Sequence, residues 1–379
     1  MSIAFFNYLM LEYGGGFAGY LQDIARGLRD RHPDLSVTLV TFDEAVVARI
    51  QRVYSWYFGA DVRTPPVIAA ADLAKRLGPV AYVKARSVAD LGRILRSHDL
   101  VYSKNDIVEA SILRYLVGPC NLPPVVFGFH TPVRYEITAT LQNRFHNLMY
   151  DSLWYRHALS PARAFHVLNE FDKRWLGNRF PGMRIEVIHN PFDSESFRRA
   201  AGKKMQRNGP LRILWVGRLT IEKGIEDLAE IIERVNHETD LVSWRIVGDG
   251  DKRDLVESLC RRFGNIRYDP HIDHSDMPSV YAQSDLFVMT SKCECYPYVL
   301  LEAAACGVPA LSYRIHGCDE IIIPGKTGAM VNSTGAMAEA IVSYSRSLPF
   351  SSSDISRHIC DNGEYERAYE QLYALLTHG

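Results

Sequence analysis

Two glutamates, Glu294 and Glu302, lie on either side of the start of a predicted helix. The apolar run 285–290 before them is rich in strand formers, and the alanines that follow Glu302 favour a helix. A strand therefore leads into a helix through this loop, and Pro297 suits the first helical turn. Backbone amides at a helix start lack partners within the helix and suit a phosphate. The amides in question are those of Tyr298, Val299 and Leu300.

The two carboxylates need a different partner, because a phosphate repels a bare carboxylate. We expect both to face neutral hydroxyl groups: Glu302 within the helix would meet a ribose, and Glu294 on the loop would meet a second sugar. Together with the amides they predict a nucleotide-sugar site. For an isolated pair of glutamates the more common explanation is a solvated helix residue and a loop cap.

A second loop, 217–224, follows another predicted strand. Gly217 allows a close turn, Arg218 offers a planar fork of donors, and Lys223 adds a point charge, which together suit a diphosphate. Either cation alone is more often a solvated loop residue. Because the loop follows a strand of the same predicted domain as the two glutamates, the pair favours diphosphate binding.

The length and composition limit the classes of protein. A chain of 379 residues exceeds what one hydrophobic core usually holds, so two domains are expected. With 43 Lys and Arg against 44 Asp and Glu, there is no basic field that would attract nucleic acid. The start, 1–7, reads as a strand rather than a signal peptide, and no stretch approaches the roughly 18 apolar residues of a membrane span. Seven cysteines without a repeated short spacing fit reduced thiols in a cytoplasmic enzyme.

Short apolar runs alternate with longer helical patterns, which predicts an α/β fold with parallel sheets. An Asn-Pro break at 190–191 and the basic stretch 198–209 are interpreted as a connector between two doubly wound, Rossmann-like domains facing a central cleft. The expected domains are 1–190 and 191–351, with a closing helix in 352–379 packed back on the first. The candidate strands are Ile3–Asn7, Ser36–Thr41, Leu100–Ser103, Val125–Phe129, Ala164–Leu168, Arg212–Val216, Trp244–Val247, Ile266–Tyr268, Leu286–Met289 and Ala310–Ser312.

Three further patterns have competing explanations. The run Gly14-Gly15-Gly16-Phe17-Ala18-Gly19 matches a dinucleotide fingerprint, but the strand before it ends early, which favours a tight loop facing a phosphate or an acceptor. Asp249 and Asp251 imitate a metal-binding pair, although Asp251 is more simply an N-cap on a turn between a strand and a helix. His130 follows the apolar strand 125–129 and is either a core histidine or a residue at an exposed strand end.

In combination these motifs resemble the retaining glycosyltransferases of family 4, which have the GT-B fold. The elements that carry the resemblance are the loop 217–224, the turn 246–250, the glutamate pair with the segment 301–310, and the run from Gly317 to Gly328. Their order and spacing match over roughly residues 210–332. Cys295, Pro297 and Cys318 stand where the family commonly has a small residue or glycine, which implies a stiffer donor loop and leaves the donor sugar open.

The resemblance implies a role for each matching position. Arg218 and Lys223 would hold the donor diphosphate, Glu302 the ribose and Glu294 the transferred sugar. His130 would bind the sugar and stabilise charge. The other implied donor-contacting positions are Gly15, Gly16, Gly217, Gly248, Gly250, His271, Ile272, Tyr298 and Val299.

The implied reaction moves a hexosyl group from a UDP- or GDP-sugar with retention at the anomeric carbon, and it needs no metal or other cofactor. The cations and helix amides would stabilise the charge on the leaving diphosphate, which itself takes the acceptor proton. The acceptor would be a glycan, a lipid-linked molecule or a small molecule in cell-surface polysaccharide or glycoconjugate synthesis. Alternatives on the same scaffold are a nucleotide-sugar epimerase, a non-catalytic donor-binding subunit and, more remotely, an NAD-dependent oxidoreductase.

The segment 135–155 mixes aromatic and aliphatic side chains with nearby arginines, Arg134, Arg144 and Arg156. This composition suits an amphipathic surface for a lipid-linked acceptor, or peripheral association with the cytoplasmic face of a membrane. A helix whose apolar stripe is buried in the first domain is the more common explanation.

Overall fold

The structure, a computed structural model, describes residues 1–11, 16–58, 69–104, 107–138, 140–202, 207–360 and 364–378. The chain divides into two compact units, the first made of 1–134, 141–191 and 366–379, the second of 135–140 and 192–365. No helix within the described ranges is long and apolar enough to cross a membrane.

A seven-stranded parallel sheet forms the centre of the first unit. Its strands are β1 (Ser2–Phe6), β2 (Ser36–Phe42), β3 (Ala81–Ala85), β4 (Leu100–Lys104), β5 (Val125–Phe129), β6 (Ala162–Val167) and β7 (Arg184–Val187). They are ordered β3-β2-β1-β4-β5-β6-β7 across the sheet. The sequence predicts the five inner strands but not the edge strands β3 and β7, because half-exposed strands carry no continuous apolar run.

Helices alternate with these strands. They are α1 (Gly16–Arg31), α2 (Glu44–Phe58), α3 (Ala70–Leu77), α4 (Val88–Arg96), α5 (Ile107–Ser111), α6 (Leu141–Asp151), α7 (Leu153–Ala158) and α8 (Glu170–Arg179), with a π-helix at Ile112–Val117 and a 3-10 turn at Pro119–Asn121. All five residues of β5 are buried, so this strand lies within the core.

The second unit is built on a six-stranded parallel sheet. Its strands are β8 (Leu211–Val216), β9 (Val242–Val247), β10 (Ile266–Asp269), β11 (Leu286–Met289), β12 (Ala310–Tyr313) and β13 (Gly328–Val331). The order β10-β9-β8-β11-β12-β13 reverses direction between β8 and β11. This is the switch point at which doubly wound sheets bind ligands. The predicted architecture of two doubly wound parallel-sheet units is therefore confirmed.

The helices of the second unit are α9 (Glu195–Ala201), α10 (Ile225–Glu238), α11 (Arg253–Arg262), α12 (Met277–Ala282), α13 (Tyr298–Ala305), α14 (Thr334–Arg346) and α15 (Ser352–Cys360). Helix α9 occupies part of the segment that the sequence suggests as a connector. Helix α9 packs on α12 and α13, and this packing buries Phe197, which is 2% exposed. Residues 195–201 therefore belong to the second unit.

The expected closing helix in 352–379 consists of two helices that belong to different units. In α15, Ser352 and Ser356 donate hydrogen bonds to the carbonyls of Gly307 and Ala305 at the end of α13, at 2.5 and 2.7 Å. Helix α16 (Glu364–Thr377) lies with the first unit from residue 366 onward. There Arg163 donates to the carbonyl of Leu375 at 3.0 Å.

Candidate functional site

Three loops meet at the carboxyl edge of the second sheet, and glycines explain how closely they approach. Gly224, at the start of α10, has φ +67°, and a Cβ there would lie 2.0 Å from the Thr290 carbonyl oxygen. Gly248, after β9, has φ +131°, and its Cβ would lie 1.9 Å from the Gly217 carbonyl oxygen. The loop 217–224 is therefore held between the ends of β9 and β11 by its backbone.

Lys223 and Glu294 form an ion pair, with 2.5 Å between Nζ and Oε1. Their side chains are 26% and 14% exposed. The Lys223 carbonyl accepts a hydrogen bond from Thr290 Oγ1 at 2.9 Å. Thr290 Oγ1 in turn accepts a hydrogen bond from the indole N–H of Trp215 at 3.0 Å. The sequence assigns the two charges to different parts of a ligand, whereas the structure pairs them with each other.

Lys292 joins the same two loops, and the sequence analysis misses it. Its N–H donates to the Glu222 carbonyl at 2.9 Å, and its Nζ lies 2.9 Å from Asp227 Oδ1. Asp227 also accepts a hydrogen bond from Tyr313 at 2.8 Å, and burial together with this carboxylate raises the pKa of Tyr313. A lysine two residues before Glu294, directly after an apolar strand, is the signal that could have indicated this contact.

Arg218 differs from Lys223, although the sequence treats them as a pair. Its side chain is exposed and makes no hydrogen bond or ion pair with any residue in the described part of the chain. Its planar fork of donors is therefore available to a ligand, and its role at the diphosphate stays a prediction.

Glu302 is a buried residue of α13 rather than a solvated one. Its Oε2 accepts a hydrogen bond from Tyr281 at 2.8 Å, and its Oε1 lies 3.5 Å from Nε2 of His274, an exposed residue. Burial and the neighbouring Glu302 raise the pKa of Tyr281, so this phenol stays a donor. Neither Tyr281 nor His274 carries a local sequence signal, because both come from the segment before β11.

The start of α13 differs in two details from the expectation. Pro297 is the N-cap, and the helix begins at Tyr298. The Leu300 amide donates to the Pro297 carbonyl at 3.2 Å, so it is not an available anion donor. The part of Tyr298 and Val299 in ligand binding stays a prediction.

The remaining loops on this edge are also tightly packed. Gly317 has φ +80°, and a Cβ there would lie 1.9 Å from the Cys295 carbonyl oxygen, so the loop that carries Glu294 rests on this glycine. A Cβ on Gly250 would lie 2.6 Å from the Leu219 carbonyl oxygen. Ile272 is half-buried.

The acidic turn after β9 shows neither the expected cap nor a metal cluster. Lys252 rather than Asp251 precedes α11 as its N-cap, without a side-chain hydrogen bond, because the helix begins one residue later than expected. Among the residues that the structure describes, no three His, Cys, Asp or Glu side chains converge so that they could hold a metal ion.

His130 lies at the end of β5 in the first unit, where its Nε2 is 2.8 Å from the hydroxyl of Tyr102. Burial, reinforced by His166, holds the pKa of His130 well below its usual range. The ring is therefore uncharged at neutral pH, and the expected role of His130 in binding the sugar and stabilising charge stays a prediction. Gly15 lies outside the described residues, and Gly16 is the first residue of α1.

The segment 135–155 contributes only part of its apolar side chains to the core. Tyr150 and Tyr155 are buried, but Leu141 and Leu153 are each 80% exposed and Leu148 is 67% exposed. The expectation of a buried stripe is therefore wrong for these leucines.

Comparisons with known proteins agree with this architecture. Residues 210–346 match the family model described as glycosyl transferases group 1, and residues 14–196 match glycosyltransferase family 4. A glycogen synthase of Mycobacterium tuberculosis is 33% identical over 152 residues, covering 39% of this chain and 36% of the relative. An alpha-D-kanosaminyltransferase of Streptomyces kanamyceticus is 28% identical over 200 residues, covering 49% and 52%.

The fold extends over the whole chain in a solved structure. Anabaena Alr3699/HepE in complex with UDP-glucose matches with a TM-score of 0.68 at 19% identity, over 99% of this chain and all of that one. The chain spans between about a third and a half of the length of the two curated relatives. The two family models together span most of the sequence, and the chain belongs to the family 4, group 1 glycosyltransferases with the GT-B fold.

Proposed function

We propose that this protein is a retaining, metal-independent glycosyltransferase that moves a hexosyl group from a UDP- or GDP-sugar to an acceptor hydroxyl. The observation that carries the proposal is the Lys223–Glu294 ion pair at the switch point of the second sheet, on the loop that leads to Glu302. A cation and two carboxylates at one sheet edge match the charge pattern of a diphosphate between two sugars.

Donor binding would exchange the partners of the ion pair. A diphosphate carries more charge than a carboxylate, so it replaces Glu294 at the Lys223 ammonium and leaves Glu294 to accept hydrogen bonds from the transferred sugar. Arg218 adds a second cation, since its exposed side chain has no competing partner among the described residues. The Lys223–Glu294 pair is thus neutral when the site is empty, and Lys223 and Arg218 together offer two positive charges to the diphosphate.

Glu302 suits a ribose because one oxygen is fixed and the other faces an exposed group. Tyr281 holds Oε2 at 2.8 Å, while Oε1 lies 3.5 Å from Nε2 of exposed His274. A ribose hydroxyl can displace His274 without disturbing Tyr281. The crystal structure of HepE with UDP-glucose supports UDP-hexoses as the first donors to test.

The reaction breaks the bond between the anomeric carbon and the diphosphate oxygen. Lys223 and Arg218 stabilise the negative charge that develops on that oxygen, so no divalent cation is required. The acceptor hydroxyl attacks from the same face, and its proton passes to the leaving phosphate, so the new glycosidic bond retains the anomeric configuration. A nucleotide-sugar epimerase would instead convert the donor without an acceptor.

On the acceptor side, we propose that the exposed surface of α6, α7 and the π-helix docks on an anionic lipid bilayer. Helix α7 contacts both α6 and the π-helix, and the ring of Trp154 stacks on Tyr115 with centroids 5.5 Å apart. Six of the nine exposed large apolar side chains found in the described ranges lie on these elements, which decides against a random scatter. They are Tyr115, Leu116, Leu141, Leu148, Leu153 and Trp154.

The charge of this surface favours lipid over a protein partner. Arg144 and Arg156 are exposed and form no ion pair within the described ranges, whereas the one acidic residue, Asp151, is paired with Arg134 and Arg179. Leucine and tryptophan between cations are typical of helices that lie in the membrane interface. We therefore propose a lipid-linked acceptor at the cytoplasmic face of the membrane.

The function is tested by incubating the protein with a panel of UDP- and GDP-sugars in EDTA, with and without glycan and lipid-linked acceptors. We expect release of the nucleoside diphosphate that depends on the acceptor and is unaffected by EDTA. Conversion of the donor without acceptor would support an epimerase, and binding without turnover would support a donor-binding subunit. Either result would overturn the proposal.

The surface is tested by co-sedimentation with vesicles of phosphatidylglycerol and phosphatidylcholine, and of phosphatidylcholine alone. We expect binding to the anionic vesicles, and its loss in Leu148→Glu/Leu153→Glu and Arg144→Gln/Arg156→Gln. Leu241→Glu is the matched control, because Leu241 is 50% exposed on the second unit. Absence of vesicle binding, or dimerisation that the same leucine changes abolish, would contradict lipid docking.

A further inference from the structure

Three ring side chains on neighbouring strands of the first sheet form a continuous chain of hydrogen bonds. The Tyr102 hydroxyl on β4 lies 2.8 Å from His130 Nε2 at the end of β5 and 2.8 Å from His166 Nδ1 on β6. His166 Nε2 lies 2.8 Å from the carbonyl oxygen of Ile188. Tyr102 and His166 are buried, at 0% and 1% exposure, so water does not compete for these bonds.

The donor and acceptor roles in this series of hydrogen bonds are fixed by its last bond, between His166 and the Ile188 carbonyl. A carbonyl can only accept, so His166 Nε2 carries a proton. Burial lowers the pKa of His166 to about 4, so the ring is neutral and its Nδ1 accepts from the Tyr102 hydroxyl. The Tyr102 hydroxyl has one proton and donates it to His166 Nδ1. Its oxygen must therefore accept the hydrogen bond from His130 Nε2. A neutral His130 then has no proton on Nδ1, and any partner of that atom must be a donor.

Two neighbours maintain this arrangement. Tyr20 of α1 is also hydrogen-bonded to Tyr102, and its ring lies 4.1 Å from the His130 ring between centroids. Gly128 leaves the space that the bond needs, because a Cβ there would lie 2.0 Å from the Tyr102 hydroxyl and 2.8 Å from His130 Nε2. A glycine inside a buried strand is explained by this close approach.

We propose that Tyr102 and His166 are positioning residues that hold His130 as its Nε2–H tautomer, so that His130 meets its ligand through Nδ1 as a hydrogen-bond acceptor. Such an atom suits a hydroxyl of a sugar or of the acceptor. It repels a diphosphate, whose oxygens are all acceptors. Only the identity of the hydroxyl rests on the proposed glycosyltransferase function.

The tautomer is measured by nitrogen NMR of the full chain with ¹⁵N-labelled histidine at pH 7.5. For His130 we expect a protonated, pyrrole-like Nε2 and an unprotonated, pyridine-like Nδ1. In His166→Leu the Tyr102 proton loses its acceptor and turns to His130 Nε2, so the share of the Nδ1–H form of His130 rises. His166→Gln keeps one donor and one acceptor, so it retains the original tautomer.

Tyr102→Phe gives a second route if His166→Leu does not fold, because it removes the hydroxyl and leaves both histidines. It is expected to leave His130 as a mixture of tautomers. The signal of His146, whose Nε2 bonds the Pro132 carbonyl, should stay unchanged in every variant and serves as the internal control. An Nδ1–H His130 in the unmodified protein, or a tautomer that none of these variants changes, would overturn the proposal.

Activity provides a separate readout. Turnover is expected to fall on the order of tenfold in His166→Leu and to be restored in His166→Gln, as for a lost hydrogen bond. A protein without transferase activity that shows the expected tautomers would refute the proposed function and leave this inference intact. Equal loss of activity in His166→Leu and His166→Gln would show that His166 has only a structural role, and it would overturn the proposal that His166 positions His130.

Discussion

The two units carry different chemistry near the ends of their central strands. In the second unit the loops after β8 and β11 are joined by charges, with Lys223 on Glu294 and Lys292 on Asp227. In the first unit the polar groups of β4, β5 and β6 are neutral rings joined in one direction. In an ion pair, a phosphate can replace the carboxylate on the cation. A chain of neutral groups with fixed hydrogen-bond directions instead distinguishes ligands that donate a hydrogen bond from ligands that accept one. Under the proposed function, the second unit would bind the charged diphosphate and the first unit a hydroxyl group.

Lys223→Ala would remove the cation on which the charged unit depends. Turnover with the preferred nucleotide sugar should fall by about a hundredfold or more, as at other sites that lose a preorganised donor. The measurement is diphosphate release in steady state.

Lys252→Ala is the matched control, because Lys252 pairs with Glu226 on an exposed surface at 2.7 Å. It should leave turnover unchanged. Equal rates for the Lys223 and Lys252 variants would remove the distinction between the two units.

Lowering the pH tests the neutral rings of the first unit. The folded protein holds the pKa of His166 at about 4, below the roughly 6.5 of an unfolded chain, so the unfolded state binds more protons between these values. Stability is therefore complete above pH 6.5 and falls as the pH drops toward 4, by about 2 kcal/mol between pH 6.5 and 5.

Denaturant unfolding of the unmodified protein and of His166→Gln at these two pH values isolates this contribution. The variant should lose less stability over the same interval, because it has no histidine to protonate at this position. Identical losses would show that the buried ring does not control the acid sensitivity of the first unit.

Gly128→Ala would force a methyl group into the Tyr102–His130 contact. The free energy of unfolding should fall by roughly 1–3 kcal/mol, and the His130 NMR signals should shift. Gly177→Ala is the control, since Gly177 lies on α8 with no atom within 4 Å of its Cβ position. It should be neutral or slightly stabilising. A Gly128 variant that behaves like the control would contradict the close approach.

The sequence predicts what depends on local patterns and misses what depends on distant partners. Inner strands follow from apolar runs, but the sequence analysis misses β3, β7 and β13, which are edge strands of only four or five residues. Arg218 and Lys223 look equivalent on one loop, and only packing separates the exposed cation from the paired one. The His130 chain joins β4 to β6, so no local pattern could have indicated it.

Glu302→Gln should have the smallest effect, because the amide keeps the shape of the side chain and the Tyr281 contact while removing the charge. We expect UDP affinity to fall on the order of tenfold, as for a hydrogen bond to a charged acceptor. Calorimetric titration of UDP measures the affinity, with Glu257→Gln as control, because Glu257 pairs with Arg253 on α11. A Glu302 variant that binds UDP as tightly as the control would exclude a ribose contact at this carboxylate.

The exchange of Glu294 for a diphosphate at Lys223 is tested most directly by titrating UDP in EDTA into three forms of the protein. The account predicts that the unmodified protein binds UDP, that Lys223→Ala binds it at least tenfold more weakly, as for a lost hydrogen bond to a charged group, and that Glu294→Gln binds it at least as tightly because the competing carboxylate is gone. Weakening by the same factor in Lys223→Ala and Glu294→Gln, or unchanged binding in Lys223→Ala, would contradict it.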